Sequence, residues 1–112
     1  MRCAIPVSGG VVSAHFGHCE HFALFDIDEP GKKILGKELA PSPGHQPGLL
    51  PAWLAEQGVS LVIAGGMGSH ALSLFQQHRI GVIIGVSESD PEKAVLKHLE
   101  GNLDSGDNIC DH

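Results

Sequence analysis

The sequence has few basic residues and no long hydrophobic run. Lysine and arginine together number seven against 13 acidic residues, and the formal net charge is −6. Because proteins that grip phosphate backbones carry clustered basic residues, we expect no nucleic-acid partner. The longest apolar runs, such as residues 61–64, are far shorter than the roughly 20 residues of a membrane span. The beginning of the chain also lacks the apolar core of a signal peptide, so we expect a cytoplasmic protein with no membrane partner.

Cysteine is scarce as well, with three residues at scattered positions. An odd, scattered set argues against a disulfide framework and for reduced thiols. Cys3 falls in an apolar run that predicts a buried strand, so we interpret it as a small core residue and exclude it from the site. The other two, Cys19 and Cys110, are candidates for metal ligation.

Enzymatic motifs are missing. Ser13 and Ser69 lie near histidines, but the chain has no Gly-x-Ser-x-Gly nucleophile elbow and no P-loop. Asp26 and Asp28 would share one face of a strand and form the nearest carboxylate pair for Mg²⁺. Solvated acids at the end of a hairpin are the commoner explanation of such a pair, so we do not expect an enzyme.

The pattern of apolar runs predicts one α/β domain over residues 1–101 and a polar tail over residues 102–112. Hydrophobic residues make up 42% of the 112, and charged residues 18%, which is typical of a folded domain of this size. The expected order is β-β-β-α-β-α-β-α, a mixed five-stranded sheet flanked by three helices. Strands are predicted at residues 3–7, 22–27, 32–39, 61–64 and 82–84, and helices at residues 49–57, 69–78 and 91–100.

Turn and cap residues fix several of these boundaries. Pro30 and Gly31 indicate a turn, so the second and third strands should form an antiparallel hairpin. Asp90 is a suitable N-cap with Pro91 in the first turn, and Gly101 is suited to end the last helix. Three prolines in residues 41–48 predict an irregular loop.

The expected topology brings three loops to one edge of the sheet. If the first, fourth and fifth strands are parallel, the loops at their carboxyl ends meet in the crevice where open α/β sheets bind ligands. These loops are residues 8–21, 65–70 and 85–90. The last helix should run back along the sheet and start the tail at the opposite edge, from which ten extended residues, about 33 Å, allow it to return to the crevice.

The first of these loops holds an unusual run of possible metal ligands, His15-Phe16-Gly17-His18-Cys19-Glu20-His21. Thiolate and neutral imidazole are ligands that zinc, copper and iron prefer, although the spacing matches no standard zinc finger. In an extended segment His15, Cys19 and His21 would project to one side and His18 to the other. A polar loop with one functional histidine is the alternative.

Two more segments carry candidate groups. The tail ends in Cys110-Asp111-His112, a thiol and an imidazole close enough to hold one ion, or simply a frayed end. The glycine-rich run from Gly65 to His70 joins a strand to a helix. It is suited either to holding an anion on backbone N–H groups or to making a tight turn.

Several short motifs in this order resemble the dinitrogenase iron-molybdenum cofactor biosynthesis family. They are Ile5-Pro6-Val7, residues 12–18, residues 43–48, Gly65-Gly66-Met67-Gly68 and the closing Cys110-Asp111-His112. The resemblance implies a ribonuclease-H-like fold and a carrier or accessory protein that binds iron-sulfur or iron-molybdenum cluster precursors and hands them on. Carried over position by position, it falls on His15, Phe16 and Gly17, on Gly65, Gly66 and Gly68, and on Cys110 and His112.

Residues and resemblance together lead to a working hypothesis. Metal ligands are expected among His15, His18, Cys19, His21, Cys110 and His112, and cluster contacts at Gly65, Gly66, Gly68 and His70. The cargo is a transiently bound iron-sulfur or iron-molybdenum cluster, or a single transition-metal ion, exchanged with donor or acceptor proteins, an ATPase among them. The alternative is a regulatory or scaffold module that docks a partner through residues 41–48 and has no metal role.

Overall fold

Six strands and three helices make up the part of the chain that the structure describes. The computed structural model describes residues 1–13, 16, 19–44, 48–101 and 103. In chain order the elements are β1 (Arg2–Ser8), β2 (Val11–Val12), β3 (His21–Asp28), β4 (Lys33–Pro41), α1 (Leu49–Glu56), β5 (Val59–Ile63), α2 (Ser69–Gln77), β6 (Gly81–Ile83) and α3 (Pro91–Glu100).

The strands form one mixed sheet in the order β4-β3-β1-β5-β6, with β2 paired to β1. β3 and β4 are antiparallel neighbours, and β1, β5 and β6 run parallel, as expected. The prediction of a mixed sheet with three helices is confirmed. The predicted series lacked β2, which pairs with β1 only through Val7↔Val12 and Ser8↔Val11. Two residues are too few to produce a periodic pattern.

Hydrophobic residues cover both faces of the sheet. Along β3 the side chains alternate, so that Phe22 and Leu24 belong to the layer under α1 and α2, while Ala23 and Phe25 belong to the layer under α3. All four are at most 1% exposed. A strand buried on both sides needs apolar residues at consecutive positions, which explains the unbroken run Phe22-Ala23-Leu24-Phe25.

The helix α3 begins and ends where its cap residues predict. The Asp90 carboxylate accepts hydrogen bonds from the backbone N–H groups of Glu92 at 2.9 Å and Lys93 at 3.3 Å. Pro91 occupies the first turn, and Gly101 takes the left-handed conformation at φ 79°. Such a C-terminal position favours glycine because it has no Cβ.

The direction of α3 differs from the prediction. Pro91 shares a groove with Leu39 of β4, whereas Gly101 and Leu103 line a cavity with Ile83 of β6, so the helix crosses the sheet from one edge strand to the other. Leu103 also lines a cavity with Ser87. The prediction that the tail starts at the edge opposite the crevice is therefore wrong, because Leu103 lies beside the loop that follows β6.

A second correction concerns Pro41, which was expected in a loop and instead ends β4 opposite His21. Proline is tolerated in a sheet on edge strands, and β4 is an edge strand. Within the described residues, no helix is both long and apolar enough to cross a membrane.

Candidate functional site

Backbone hydrogen bonds join the loops that follow β1, β5 and β6. The Phe16 N–H donates to the Gly66 carbonyl at 3.0 Å, and the Gly85 N–H donates to the Gly65 carbonyl at 2.8 Å. The Val12 N–H donates to Ser89 at 2.8 Å. The prediction that the histidine-rich loop and the glycine-rich loop share one edge of the sheet is thus confirmed, although some fifty residues separate them.

These loops enclose a cavity of about 320 Å³, which we call the crevice. Apart from Glu88, its described lining consists of valine, serine and glycine residues, which are Val12, Ser13, Gly65, Gly85, Val86, Ser87 and Ser89. Glu88 supplies the only acidic group in this described lining, and Lys97 Nζ lies 2.7 Å from its carboxylate. The hydrogen bond from Lys97 lowers the pKa of Glu88, with a further contribution from the Asp90 N–H. The carboxylate in the crevice is therefore ionised, and its charge is balanced by Lys97.

Phe16 anchors the histidine-rich loop in the hydrophobic core. Its side chain is only 4% exposed. The ring centroid lies 5.5 Å from that of Phe22 and 5.3 Å from that of Phe75, the latter edge to face. Phe16 is covered by the family resemblance, but neither the resemblance nor the residue pattern predicted this role. A single aromatic residue within a run of histidines was the available signal. His15 and His18 themselves lie outside the described residues.

Cys19 is buried rather than presented at the surface. It is 2% exposed and packs in the same hydrophobic cluster as Phe16 and Phe22. Burial raises the pKa of its thiol to about 11, and hydrogen bonds that include one with the Ser42 side chain lower it only in part. Since metal ions bind the thiolate, ligation by Cys19 requires loss of a tightly held proton.

This burial predicts slow alkylation of Cys19. At pH 8, a thiol of pKa 11 has a thiolate fraction about a hundred times smaller than one of pKa 9.0, the ordinary value. Iodoacetamide labelling followed by peptide mass spectrometry should show Cys19 reacting about a hundredfold more slowly than glutathione. Labelling at the glutathione rate would show that the thiol leaves its buried position readily.

His21 lies in a different environment from Cys19. It opens β3 opposite Val7 and lines a groove with Val7 and Ala23 on the α3 side of the sheet. The prediction that Cys19 and His21 project to one side is therefore wrong. The chain bends at Glu20, whose carboxylate accepts a hydrogen bond from the Gly9 N–H at 2.8 Å, so the alternation of an extended strand does not apply.

The glycine-rich loop presents backbone to the crevice edge and anchors itself through Met67. Gly65 and Gly66 are buried, and the Met67 side chain is 1% exposed in the core. Gly68 is exposed and caps α2 with φ −67° and ψ 153°, an extended conformation that any residue adopts. A Cβ at this position would meet nothing within 4 Å. The glycine therefore leaves open space in front of the helix rather than relieving strain.

The first turn of α2 supplies possible anion contacts. The Leu72 N–H donates a hydrogen bond to the Gly68 carbonyl. The N–H groups of residues 69–71 come before Leu72 in the first turn of the helix. Such groups carry the positive end of the helix dipole and suit an anion. His70 is exposed in this turn. Gly68 makes no side-chain cap hydrogen bond, so this end of the helix is open.

The described part of the chain forms no closed metal centre by itself. Cys110 and His112 lie outside the described residues, as do His15 and His18. Within residues 1–13, 16, 19–44, 48–101 and 103, no three His, Cys, Asp or Glu side chains come together at metal-binding distance. A site with three protein ligands therefore requires at least one ligand from outside these ranges.

The carboxylate pair weighed for Mg²⁺ is not arranged as a metal site. Asp26 accepts from Arg2 Nε at 3.1 Å, and Arg2 also donates to the Gln57 carbonyl at 3.0 Å. Asp26 is therefore neutralised by an arginine held in place by a second partner. This arrangement stabilises the strand ends at the edge opposite the crevice.

The fold and its converging loops define a small mixed α/β domain with a candidate binding crevice at the carboxyl ends of its parallel strands. The chain belongs to the dinitrogenase iron-molybdenum cofactor family, whose family model matches residues 1–101. An uncharacterized protein of Methanocaldococcus jannaschii, MJ0580, is 33% identical over 107 residues, which cover 93% of this chain and 90% of that protein.

Solved structures have the same fold. The crystal structure of PH0822 superposes with a TM-score of 0.86 at 29% identity and covers 94% of each chain. The apo form of the orange protein from Desulfovibrio gigas has a TM-score of 0.75 at 21% identity, covering 96% of this chain and 93% of that one. At that identity the second likeness establishes a shared fold only.

Proposed function

We propose that this protein binds an iron-sulfur or iron-molybdenum type cluster, or its precursor, in the crevice and delivers it as a non-enzymatic carrier. The observation that carries the proposal is the hydrogen bond from the Phe16 N–H to the Gly66 carbonyl, at 3.0 Å. It joins the loop that holds the histidines to the loop that offers backbone N–H groups. Membership of the iron-molybdenum cofactor family supports this choice of cargo.

The supply of thiols favours an open and exchangeable site. A cluster site with four cysteine ligands needs more cysteines than the three that one chain contains. Cys3 is fully buried, and burial raises the pKa of its thiol to about 12, so it does not serve as a ligand. Cys19 and Cys110 are left, with imidazoles of His15, His18, His21 and His112 as further ligands. The remaining hold on an anionic cluster comes from backbone groups at Gly65, Gly66 and Gly68 and from His70.

The proposal also covers the domain organisation, the location and the partners of the protein. Residues 1–101 form a single domain of the ribonuclease-H-like type, and residues 102–112 are a tail that supplies Cys110 and His112 to the site. The carrier works in the cytoplasm and exchanges its cargo with donor and acceptor proteins, an ATPase among them. The start of the tail at Leu103, beside the loop after β6, shortens the path that the tail must cover.

Anaerobic reconstitution with iron and sulfide, with or without molybdate, tests the proposal. Elemental analysis and the absorption spectrum of the desalted protein distinguish three outcomes, which are a bound cluster, a single bound metal ion and no bound metal. His15→Ala and Gly68→Val should each lower the retained iron on the order of tenfold, because one removes a ligand and the other fills the open space before α2. Both changes should leave the far-ultraviolet circular dichroism unchanged.

His78→Ala is the matched control for the histidine substitution. His78 caps the far end of α2 and is exposed, so it lies away from the crevice edge. Its replacement should leave the retained iron unchanged. A variant with alanine at His15, Cys19, Cys110 and His112 tests the carrier role as a whole. If it retained as much metal as the wild type, the carrier proposal would be wrong, and the alternative of a scaffold module would be favoured.

A further inference from the structure

The outer edge of the sheet at β4 presents exposed apolar side chains. Leu35 is 68% exposed and Leu39 is 56% exposed, and among the described strands β4 pairs with β3 alone. An edge strand of nine residues offers a row of outward-facing N–H and C=O groups to another extended segment. Proteins commonly bind partner peptides by adding a strand at such an edge.

A groove of about 320 Å³ opens beside this strand on the α3 side of the sheet. Val7, Ala23 and Leu39 form its floor from three neighbouring strands, and Pro91 at the start of α3 is one wall. Its described lining shares no residue with that of the crevice, although it includes Gly9, Gly10, Glu20 and His21 from the segment that joins β1 to β3. The groove has the size of one large apolar side chain with part of its backbone.

The described lining of the groove contains one lysine, Lys37, and one glutamate, Glu20, whose carboxylate accepts a hydrogen bond from the Gly9 N–H at 2.8 Å. Lys37 lines the groove, and its Nζ lies 5.7 Å above the ring of Phe25. Within the part of the chain that the structure describes, no carboxylate lies within ion-pair distance of Lys37. The neighbouring acid of β4, Glu38, already faces Arg2 at 3.9 Å. An incoming acidic group would therefore find a cation to pair with.

We infer that β4 and this groove bind an extended segment of a partner protein that carries an apolar residue and an acidic residue two positions apart. Leu39 and Lys37 are two positions apart on one face, since they pair with Ala23 and Phe25 of the α3 layer. The apolar side chain opposite Leu39 enters the groove, and the acidic side chain opposite Lys37 pairs with the ammonium group. This inference does not require a cargo in the crevice, although His21, one of the proposed ligands, also lines the groove.

In two antiparallel registers a second copy of the chain would bring like charges together. If two β4 strands paired antiparallel with Leu35 opposite Leu39, Lys37 would stand directly opposite its counterpart. A shift that places Leu39 opposite Lys37 instead puts Glu38 opposite Glu38. Like charges directly across a strand pair are destabilising, so these two registers are disfavoured. Registers with Leu39 opposite Leu39 or Gly36 opposite Gly36 bring no like charges together, and the sedimentation experiment below tests them.

Fluorescence anisotropy with two labelled nonapeptides tests the inference on the full chain. Both are threonine-rich and extended, one with a central Leu-Thr-Glu and the other with Leu-Thr-Lys. The acidic peptide should bind about threefold more tightly, as expected of one cross-strand charge pair, and this preference should shrink in high salt. Lys37→Glu should reverse the preference. Leu39→Lys should weaken both peptides on the order of tenfold.

Leu96→Lys is the control, since Leu96 is an exposed leucine on α3, 40% exposed and away from the groove lining. It should bind both peptides like the wild type. The inference is wrong if neither peptide binds, if Lys37→Glu keeps the original preference, or if amide chemical shifts move in the crevice loops instead of β4. It is also wrong if a peptide of residues 104–112 outcompetes the acidic peptide, or if sedimentation shows a dimer that Leu39→Lys dissociates, because the occupant is then the chain's own tail or a second copy.

Discussion

Replacing Phe16 with alanine should lower the free energy of unfolding by about 3–5 kcal/mol, the usual cost of removing a buried phenyl ring. The side chain is 4% exposed and contacts Phe22 and Phe75, so its loss leaves a cavity between β3 and α2. Equilibrium denaturation in urea measures the change. Because Phe16 is the anchor of the histidine-rich loop, the same substitution should also reduce iron retention after reconstitution by more than its effect on stability explains.

Two comparison variants separate these effects. Phe16→Leu keeps most of the apolar volume and should recover at least half of the lost stability and most of the iron. Leu99→Ala removes a buried side chain of the α3 layer, on the other face of the sheet, and should cost about 2–5 kcal/mol. It should leave iron retention unchanged at a temperature where the variant is folded. Equal iron loss in Phe16→Ala and Leu99→Ala would contradict a specific anchoring role.

The parts of the fold that were predicted correctly rest on local signals. The turn at Pro30 and Gly31 joins β3 to β4, and Asp90, Pro91 and Gly101 bound α3, because each residue type suits one backbone conformation or one hydrogen bond. The parallel arrangement of β5 and β6 followed from a connection long enough for a helix to cross over, and β1 was assumed to run parallel to them. From that topology alone, the meeting of the histidine-rich and glycine-rich loops was predictable.

The errors have physical causes that a single sequence does not reveal. Cys19 and His21 were placed on one side because strand alternation was applied across Glu20, where the chain bends. α3 crosses the sheet because its N-terminus packs beside β4 and its C-terminus beside β6, and helix periodicity carries no information on that direction. The start of the tail was misplaced for the same reason.

The position of the candidate site was easier to predict from the sequence than the residues that act as its ligands. Imidazole and thiol groups were identified by residue type, but whether a thiol is presented or buried depends on packing between distant segments. Cys19 illustrates this, since its burial arises from contacts with the cluster that also contains Leu50 and Phe75. The same packing gives Phe16 its anchoring role, which no spacing rule indicated.

Alkaline pH should destabilise the protein through Cys3. Burial raises the pKa of this thiol from 9.0 to about 12 in the folded state, so the folded protein keeps a proton that the unfolded chain loses above pH 9. The contribution to stability is complete below pH 9 and is lost as the pH rises towards 12. At about 1.4 kcal/mol per unit, the loss for Cys3 reaches about 3 kcal/mol by pH 11.

Cys3→Ala isolates this effect from the other groups that titrate above pH 9. The small residue removes the thiol and has no charge to lose, so the stability difference between wild type and variant should stay constant up to pH 9. By pH 11 the wild type should then have lost about 3 kcal/mol relative to the variant, as measured by urea denaturation under reducing conditions. Cys19, with a pKa raised to about 11, should act with the same sign, and its effect should level off at lower pH than that of Cys3. A difference that does not change with pH would mean that the Cys3 thiol ionises as easily in the folded protein as in the unfolded chain, which is incompatible with its complete burial in β1.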